Sequence, residues 1–264
     1  MKLRSFLILV FLPLLFVLAS CSLIKGQLSH KQTSSSSGLK HAMSTSQLID
    51  KMDKANQKLT SMKMKADFAT YEESDSPVSS QDMTASLIYK KGTGDLVKGK
   101  ASFDSLKEGK KSFEEIVMPG GSNNPVYSRQ SETGTWEKMV AEDEEGDYYI
   151  RPDYFKVWKV LSEMADDLKV KEDSQYYTLT LTSQNTDLLG LFKEQFNLEL
   201  SNLDQLELDK SLTVKVNKKT FYMEKFDLGF KYDGDRGKIK LLIHLKYFSL
   251  NKVDKNAIKV PSDI

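Results

Sequence analysis

Hydrolytic and group-transfer chemistry needs a nucleophile beside a positioned base, and this chain offers few residues from which to build that pair. It has 3 histidines and 1 cysteine in 264 residues. His30 and His41 fall in a Ser- and Lys-rich stretch without apolar periodicity, so they read as solvated. His244 stands between Ile243 and Leu245, where strand alternation turns it to the polar face, and no Gly-x-Ser-x-Gly or comparable motif accompanies it. Carboxylates gather at Glu142-Asp143-Glu144-Glu145-Gly146-Asp147, yet the run lacks the alternating ligand spacing of a calcium loop. It reads as a solvated acidic turn, with weak calcium binding as the alternative. Gly92-Thr93-Gly94 is followed by a strand pattern, whereas a phosphate cradle must open a helix. The expectation is a chain that is not an enzyme, with no catalytic residue, no metal site and no cofactor.

The remaining reactive side chain is Cys21. It closes Leu18-Ala19-Ser20-Cys21 behind the cations Lys2 and Arg4 and an apolar run from Phe6 to Leu18. This resembles a bacterial lipoprotein signal ending in its lipobox: cations hold the start inside, the apolar run inserts, and small residues admit a peptidase before the cysteine. The run has roughly 13 apolar positions with Pro13 inside it, short of the about 20 that a membrane-spanning helix requires. Residues 1–20 are thus expected to be a cleaved signal and Cys21 to carry acyl groups, palmitate among them. At about 0.8 kcal/mol per buried methylene, two chains would hold the protein to the extracytoplasmic face of the cell membrane. The discarded Leu14-Leu15-Phe16-Val17-Leu18-Ala19-Ser20 is also similar in composition to peptide pheromones trimmed from some such signals.

Removing the signal leaves 36 Lys and Arg against 37 Asp and Glu. That balance gives no basic excess for nucleic acid. With its one cysteine lipidated the chain forms no internal disulfide, so an apolar core must stabilise it, and 13 Phe, 11 Tyr and 10 Met supply the material. Residues 21–43 read as the lipidated cysteine and a flexible tether, with a root-mean-square span of roughly 25 Å. Residues 44–264 read as one domain.

In that domain the pattern switches between periods. Ser44-x-x-Gln47 has the form of a capping box, and Leu48, Met52, Ala55 and Leu59, with Ile49 and Met62 beside them, recur at helical spacing. Met62, Met64, Ala66 and Phe68 then alternate as a strand, and Met83, Ala85, Leu87 and Tyr89 do so before a turn at Gly92 to Asp95. Shorter strands are expected near 96–103, 112–118, 126–130 and 135–141. A helix is expected from Pro152, in its first turn, with Tyr154, Val157, Trp158, Leu161 and Met164 on one face. Tyr177, Leu179 and Leu181 form a strand, and 188–200 is the most apolar helix candidate. Three strands follow, carried by Leu212 to Val216, Tyr222 to Tyr232 and Ile239 to Tyr247. Clean alternation predicts antiparallel strands with one buried and one wet face.

This order resembles the periplasmic lipoprotein-carrier superfamily, the LolA/LolB-like fold, with its lipoprotein relatives in mycobacteria and low-GC Gram-positive bacteria. The likeness rests on the opening helix Leu48-Ile49-x-x-Met52-x-x-Ala55-x-x-x-Leu59 running into the first strand. It rests also on Val214-Lys215-Val216-Asn217-Lys218-Lys219-Thr220, similar to a V-x-V-D-x-x-T turn with Asn for Asp, and on Ile258-Lys259-Val260-Pro261, similar to a closing strand. What the resemblance implies is an α+β fold: a strongly curved, incompletely closed antiparallel barrel with helices covering the concave face, whose hollow accepts acyl chains. It carries over no catalytic residue. The acidic and aromatic insert from Glu142 to Tyr154 departs from shorter members.

An apolar surplus fits that implication. Met64, Phe68, Leu87, Tyr89, Phe226, Phe230, Ile243 and Leu245 on strands, with Trp158, Leu161, Phe192 and Phe196 on helices, are the candidate lining of a ligand cavity, since Met and Phe adapt to flexible chains. The same residues would otherwise pack as a solid core. Two functions follow. One is a membrane-anchored lipoprotein that carries lipid or another long apolar ligand, gated by 188–200 with its Gly190. The other is a ligand-free envelope protein whose sheet or Tyr148-Tyr149 docks a partner protein or cell-wall polymer.

Overall fold

The computed structural model describes residues 43–121, 125–139, 150–198, 203–262 and 264, all within one compact unit, Ala42–Ile264. The signal, Cys21, His30, His41, the tether before residue 43, the acidic run and Tyr148-Tyr149 lie outside the described residues.

Helix α1 (Thr45–Asn56) starts at the predicted box: Ser44 Oγ accepts from the Gln47 N–H at 3.2 Å, and Gln47 Oε1 accepts from the Ser44 N–H at 3.1 Å. It ends sooner than its apolar spacing suggests. Leu59, fully buried, sits in the turn beyond it, and Met62 already belongs to strand β1 (Ser61–Glu72). The helical spacing outlasts the helix because the chain keeps facing the same core.

Strands β2 (Pro77–Tyr89), β3 (Leu96–Lys107), β4 (Lys110–Met118), β5 (Val126–Arg129) and β6 (Glu137–Met139) step outward from β1 as neighbouring antiparallel strands. In the β2–β3 turn Gly94 has φ +77°, and a Cβ there would lie 2.7 Å from the Phe155 ring, so turn geometry and close packing both ask for glycine. The chain then crosses to the other edge through helix α2 (Tyr154–Glu163). Pro152 stands before this helix rather than in its first turn. The N-cap is Asp153, whose Oδ1 accepts from the N–H groups of Phe155 and Lys156 at 2.9 and 3.0 Å.

From the far edge the chain returns through β7 (Leu168–Glu172) and β8 (Tyr176–Leu181), helix α3 (Leu188–Phe196), then β9 (Asp209–Asn217), β10 (Met223–Gly234) and β11 (Gly237–Phe248). Helix α3 stops before residue 200 because Asn197 turns left-handed at φ 49°. Asn217 serves the β9–β10 turn as an Asp would: its Oδ1 accepts from the Lys219 and Thr220 N–H groups. Strand β11 closes against β1, giving one sheet in the order β6-β5-β4-β3-β2-β1-β11-β10-β9-β8-β7.

The two edges, β6 and β7, do not meet, so the sheet is an incompletely closed antiparallel half-barrel with helices on its concave face. Ile258 to Pro261 adds no strand to it. Instead Ile258 is buried with Ile88, Val117, Tyr127 and Trp136 in a small second cluster, and Ile88 alternates with the inward-facing Leu87. The tail therefore packs over a corner of the outer face.

Candidate functional site

The strand register lays the inner face out as rows. Met64 lies opposite Tyr247, Phe68 opposite Ile243, Phe226 opposite Leu245 and Phe230 opposite Leu241. Of the twelve candidate lining residues, Met64, Leu87, Tyr89, Trp158, Leu161, Phe192, Phe226, Phe230, Ile243 and Leu245 are buried in one cluster, and Phe68 and Phe196 are half-buried against it. The structure thus brings all twelve together between sheet and helices, in a densely occupied core.

Helix α3 is held on the sheet through four rings. Phe192 meets Phe226 edge-on at 5.3 Å between centroids, Phe196 stacks on Phe226 at 5.6 Å, and Phe68 meets Phe196 at 6.2 Å. Each such pair contributes about 0.5–1.5 kcal/mol beyond burial. The apolar face continues past the helix. Along β11, Ile243 is buried while Leu241 and Ile239 are half-buried, so the concave surface is only partly covered near Phe68, Phe196, Leu241 and Ile239.

Under α2 the interior carries polar atoms. Tyr154 Oη donates to Asn56 Oδ1 at 2.9 Å and accepts from the Met223 N–H. Tyr89 Oη, Tyr247 Oη, Asn56 Nδ2 and, in α3, Gln195 Oε1 are buried without a hydrogen-bond partner among the described residues. The Tyr89 hydroxyl faces the Asp153 carboxylate without reaching hydrogen-bond geometry. Burial, more than the nearby Asp153 charge, pushes the Tyr89 hydroxyl well up, and burial likewise raises the Asp153 carboxyl despite the two N–H groups it caps.

Residues 44–264 match a family described as of unknown function, DUF6612. The chain belongs to the DUF6612 family. No curated protein matches it. Among solved structures, this DUF6612 chain aligns with LprF from Mycobacterium bovis at 8% identity and a TM-score of 0.42, covering 80% of this chain and 94% of that one. It aligns with the lipoprotein LppX from Mycobacterium tuberculosis at 10% identity and 0.39, covering 80% and 96%. A LolA superfamily protein from Nitrosomonas europaea gives 11% and 0.26, covering 83% and 99%.

Two features of the DUF6612 domain escaped the sequence reading. Lys210 is 4% exposed on the inner face, directly opposite Phe230, and its Nζ donates to Gln205 Oε1 at 3.3 Å. The signal was present: Lys210, Leu212, Val214 and Val216 share one parity. His244, read as solitary, pairs through Nδ1 with Asp227 Oδ1 at 2.6 Å and faces Asp67 on β1. Counting back from the turn at Gly234 and Gly237 would have placed Asp227 opposite it. The pair is half-exposed on the outer face, away from the apolar core, and among the described residues no group of three or more His, Cys, Asp or Glu is placed to hold a metal.

Proposed function

We propose that this chain is a membrane-anchored extracytoplasmic lipoprotein, held through Cys21, that binds lipid or another long apolar ligand between its curved sheet and covering helices. It is not an enzyme in this reading. The observation that carries the proposal is the seating of α3. A helix of 9 residues is too short to persist alone, and its hold on the sheet is apolar, through Phe192 and Phe196, beside a stretch of concave face that is only half-covered. An acyl chain of sixteen carbons gains on the order of 10 kcal/mol on leaving water. Lifting two phenylalanines off the sheet costs about 3–5 kcal/mol each as an upper bound. A chain laid over Phe68, Phe226, Leu241 and Ile243 therefore offsets the opening of α3. The twelve apolar residues are its proposed lining, and Lys210, opposite Phe230, and Gln195 of α3, whose Oε1 is buried without a partner among the described residues, are the proposed contacts for a headgroup.

The test is native mass spectrometry of the purified protein after solvent extraction and lipid re-addition. A bound lipid or other long apolar molecule is the expected result. Absence of any adduct on a folded protein overturns the proposal. The dense packing of ten of the twelve residues favours a second reading, an envelope protein with a filled core that docks a partner protein or a cell-wall polymer. Under that reading the Phe192 and Phe196 contacts stay closed in the presence of lipid.

A further inference from the structure

The outer face of the sheet carries a row of lysines that the register makes plain. Lys65 on β1 stands directly opposite Lys246 on β11, Lys246 opposite Lys225 on β10, and Lys225 opposite Lys215 on β9. Four adjacent strands thus present four like charges side by side, about 4.8 Å apart from strand to strand. Lys65, Lys225 and Lys246 are exposed and Lys215 is partly exposed. Among the described residues none of the four has a carboxylate in ion-pair range; Lys215 lies over the Tyr176 ring at 5.6 Å, and its charge also reaches the Asp173 carboxylate from a longer distance. Like charges directly opposite destabilise a sheet, so the row costs stability.

The row also has an extension. One step along β1, Lys63 lies opposite Ser86, which lies opposite Lys100 on β3. A groove of about 270 Å³ there is lined by Lys63, Lys100, Thr84, Ser86, Ser102, Phe248 and the Glu115 carboxylate. Its ammonium and hydroxyl groups suit phosphate oxygens, with the Thr84 and Ser102 hydroxyls bonded to one another at 2.9 Å in the unliganded groove. Lys100 is shared with Glu115 at 2.8 Å, which leaves Lys63 as the rim cation without a carboxylate partner among the described residues.

On the other side the row is bounded by acids: Asp82, Asp67, His244 and Asp227 form the next row on the same face. The positive charge is therefore a stripe, one residue wide and several strands long, running around a convex surface. A flat anionic bilayer touching this face would meet the acidic row as well as the basic one. A linear chain of negative charges can follow the stripe alone. We infer that the outer face binds a linear polyanion with repeating phosphates, laid across β1, β11, β10 and β9 and ending in the Lys63 groove. This rests on surface charge and does not depend on the concave face binding lipid.

The experiment measures fluorescence anisotropy of labelled long-chain polyphosphate with the whole chain in nonionic detergent, over a range of salt. Three proteins are compared: wild type, the triple variant Lys65→Gln/Lys225→Gln/Lys246→Gln, and a charge-matched control, Lys54→Gln/Lys58→Gln/Lys90→Gln. The stripe variant is expected to bind at least tenfold more weakly, with a salt slope shallower by about 2–3, at roughly 0.7–0.9 for each of three phosphates left without its lysine. The control is expected to bind as wild type. Because the substitutions relieve like-charge opposition, the stripe variant should melt no lower than wild type, which separates weakened binding from a damaged fold. Three results overturn the inference: no binding by wild type, equal losses in stripe variant and control, or full displacement of the polymer by detergent micelles doped with phosphatidylglycerol at matched phosphate. The last assigns the face to lipid headgroups.

Discussion

Phe196 of α3 stacks on Phe226 of β10 with ring centroids 5.6 Å apart and planes inclined by 28°. Phe196 is half-buried and Phe226 fully buried, so the contact joins the edge of the helix to the floor of the sheet. On the same helix Phe192 is fully buried and meets Phe226 edge-on. Two residues four apart thus hold one helix at different depths, and they separate the stability of the core from the closure of its edge.

Phe192→Ala should cost about 3–5 kcal/mol in urea denaturation, because a ring is removed from a buried position. Phe196→Ala should cost about 1–2 kcal/mol, since half of the ring already meets water. The shallower variant should bind an apolar fluorescent dye more readily than wild type while staying folded. Unchanged dye binding would mean that Phe196 does not guard access to the concave face.

Much of this arrangement could be read in the sequence where the apolar period was unbroken. Met62 to Phe68, Tyr222 to Tyr232 and Ile239 to Tyr247 gave strands facing the right way, because each alternates over several residues against a single buried face. Strand β7 was missed: Leu168 and Val170 are its only apolar residues, set among Lys169, Lys171 and Glu172, as suits a short charged edge strand. The closing strand implied by resemblance at Ile258 to Pro261 is absent because one buried side chain anchors a tail to the outer face. What no local pattern could show is the pairing of β1 with β11. That long-range neighbour relation places Phe68 beside Ile243 and aligns Lys65 with Lys246.

Lys210→Met should stabilise the protein by roughly 1 kcal/mol or more, because a buried amine with one side-chain partner gives way to an apolar group of similar length. The same variant should lose preference for anionic over zwitterionic lipids if Lys210 Nζ meets headgroups. A melting curve and a competition between the two lipid types check both parts. Loss of stability would show that the Gln205 contact outweighs the burial of Nζ.

Burial raises the Asp153 carboxyl above its ordinary range, opposed by the Lys156 and Phe155 N–H groups it caps. The folded protein then holds that proton more tightly than the unfolded chain does. The stability this group contributes is full below the unfolded value of about 3.9 and declines as pH rises through the raised folded value. Asp153→Asn keeps an N-cap acceptor without the charge. It should be more stable than wild type near neutral pH, with the two curves converging in acid. Wild type pulling ahead as pH rises would reverse the assignment.

Glu115 behaves in the opposite sense. Burial pushes its carboxyl up, but hydrogen bonds and charge from Lys100 and Arg129 prevail and hold it below its ordinary range. Arg129 Nε donates to Glu115 Oε2 at 2.6 Å while its guanidinium lies over the Trp136 ring at 4.8 Å. Stability from Glu115 is therefore present above the unfolded carboxylate value and lost as pH falls through the lowered one. Arg129→Ala should cost about 1–3 kcal/mol at neutral pH, and less in acid. A cost independent of pH would point to the Trp136 contact instead.

Native mass spectrometry of the whole protein, stripped by solvent and then offered lipid, tests the binding of an apolar ligand most directly. The account predicts one acyl-chain molecule per protein, retained through gentle desolvation and released more readily by Phe192→Ala than by a control at exposed Leu206. A folded protein that carries no adduct after exposure to anionic, zwitterionic and neutral lipids would contradict it.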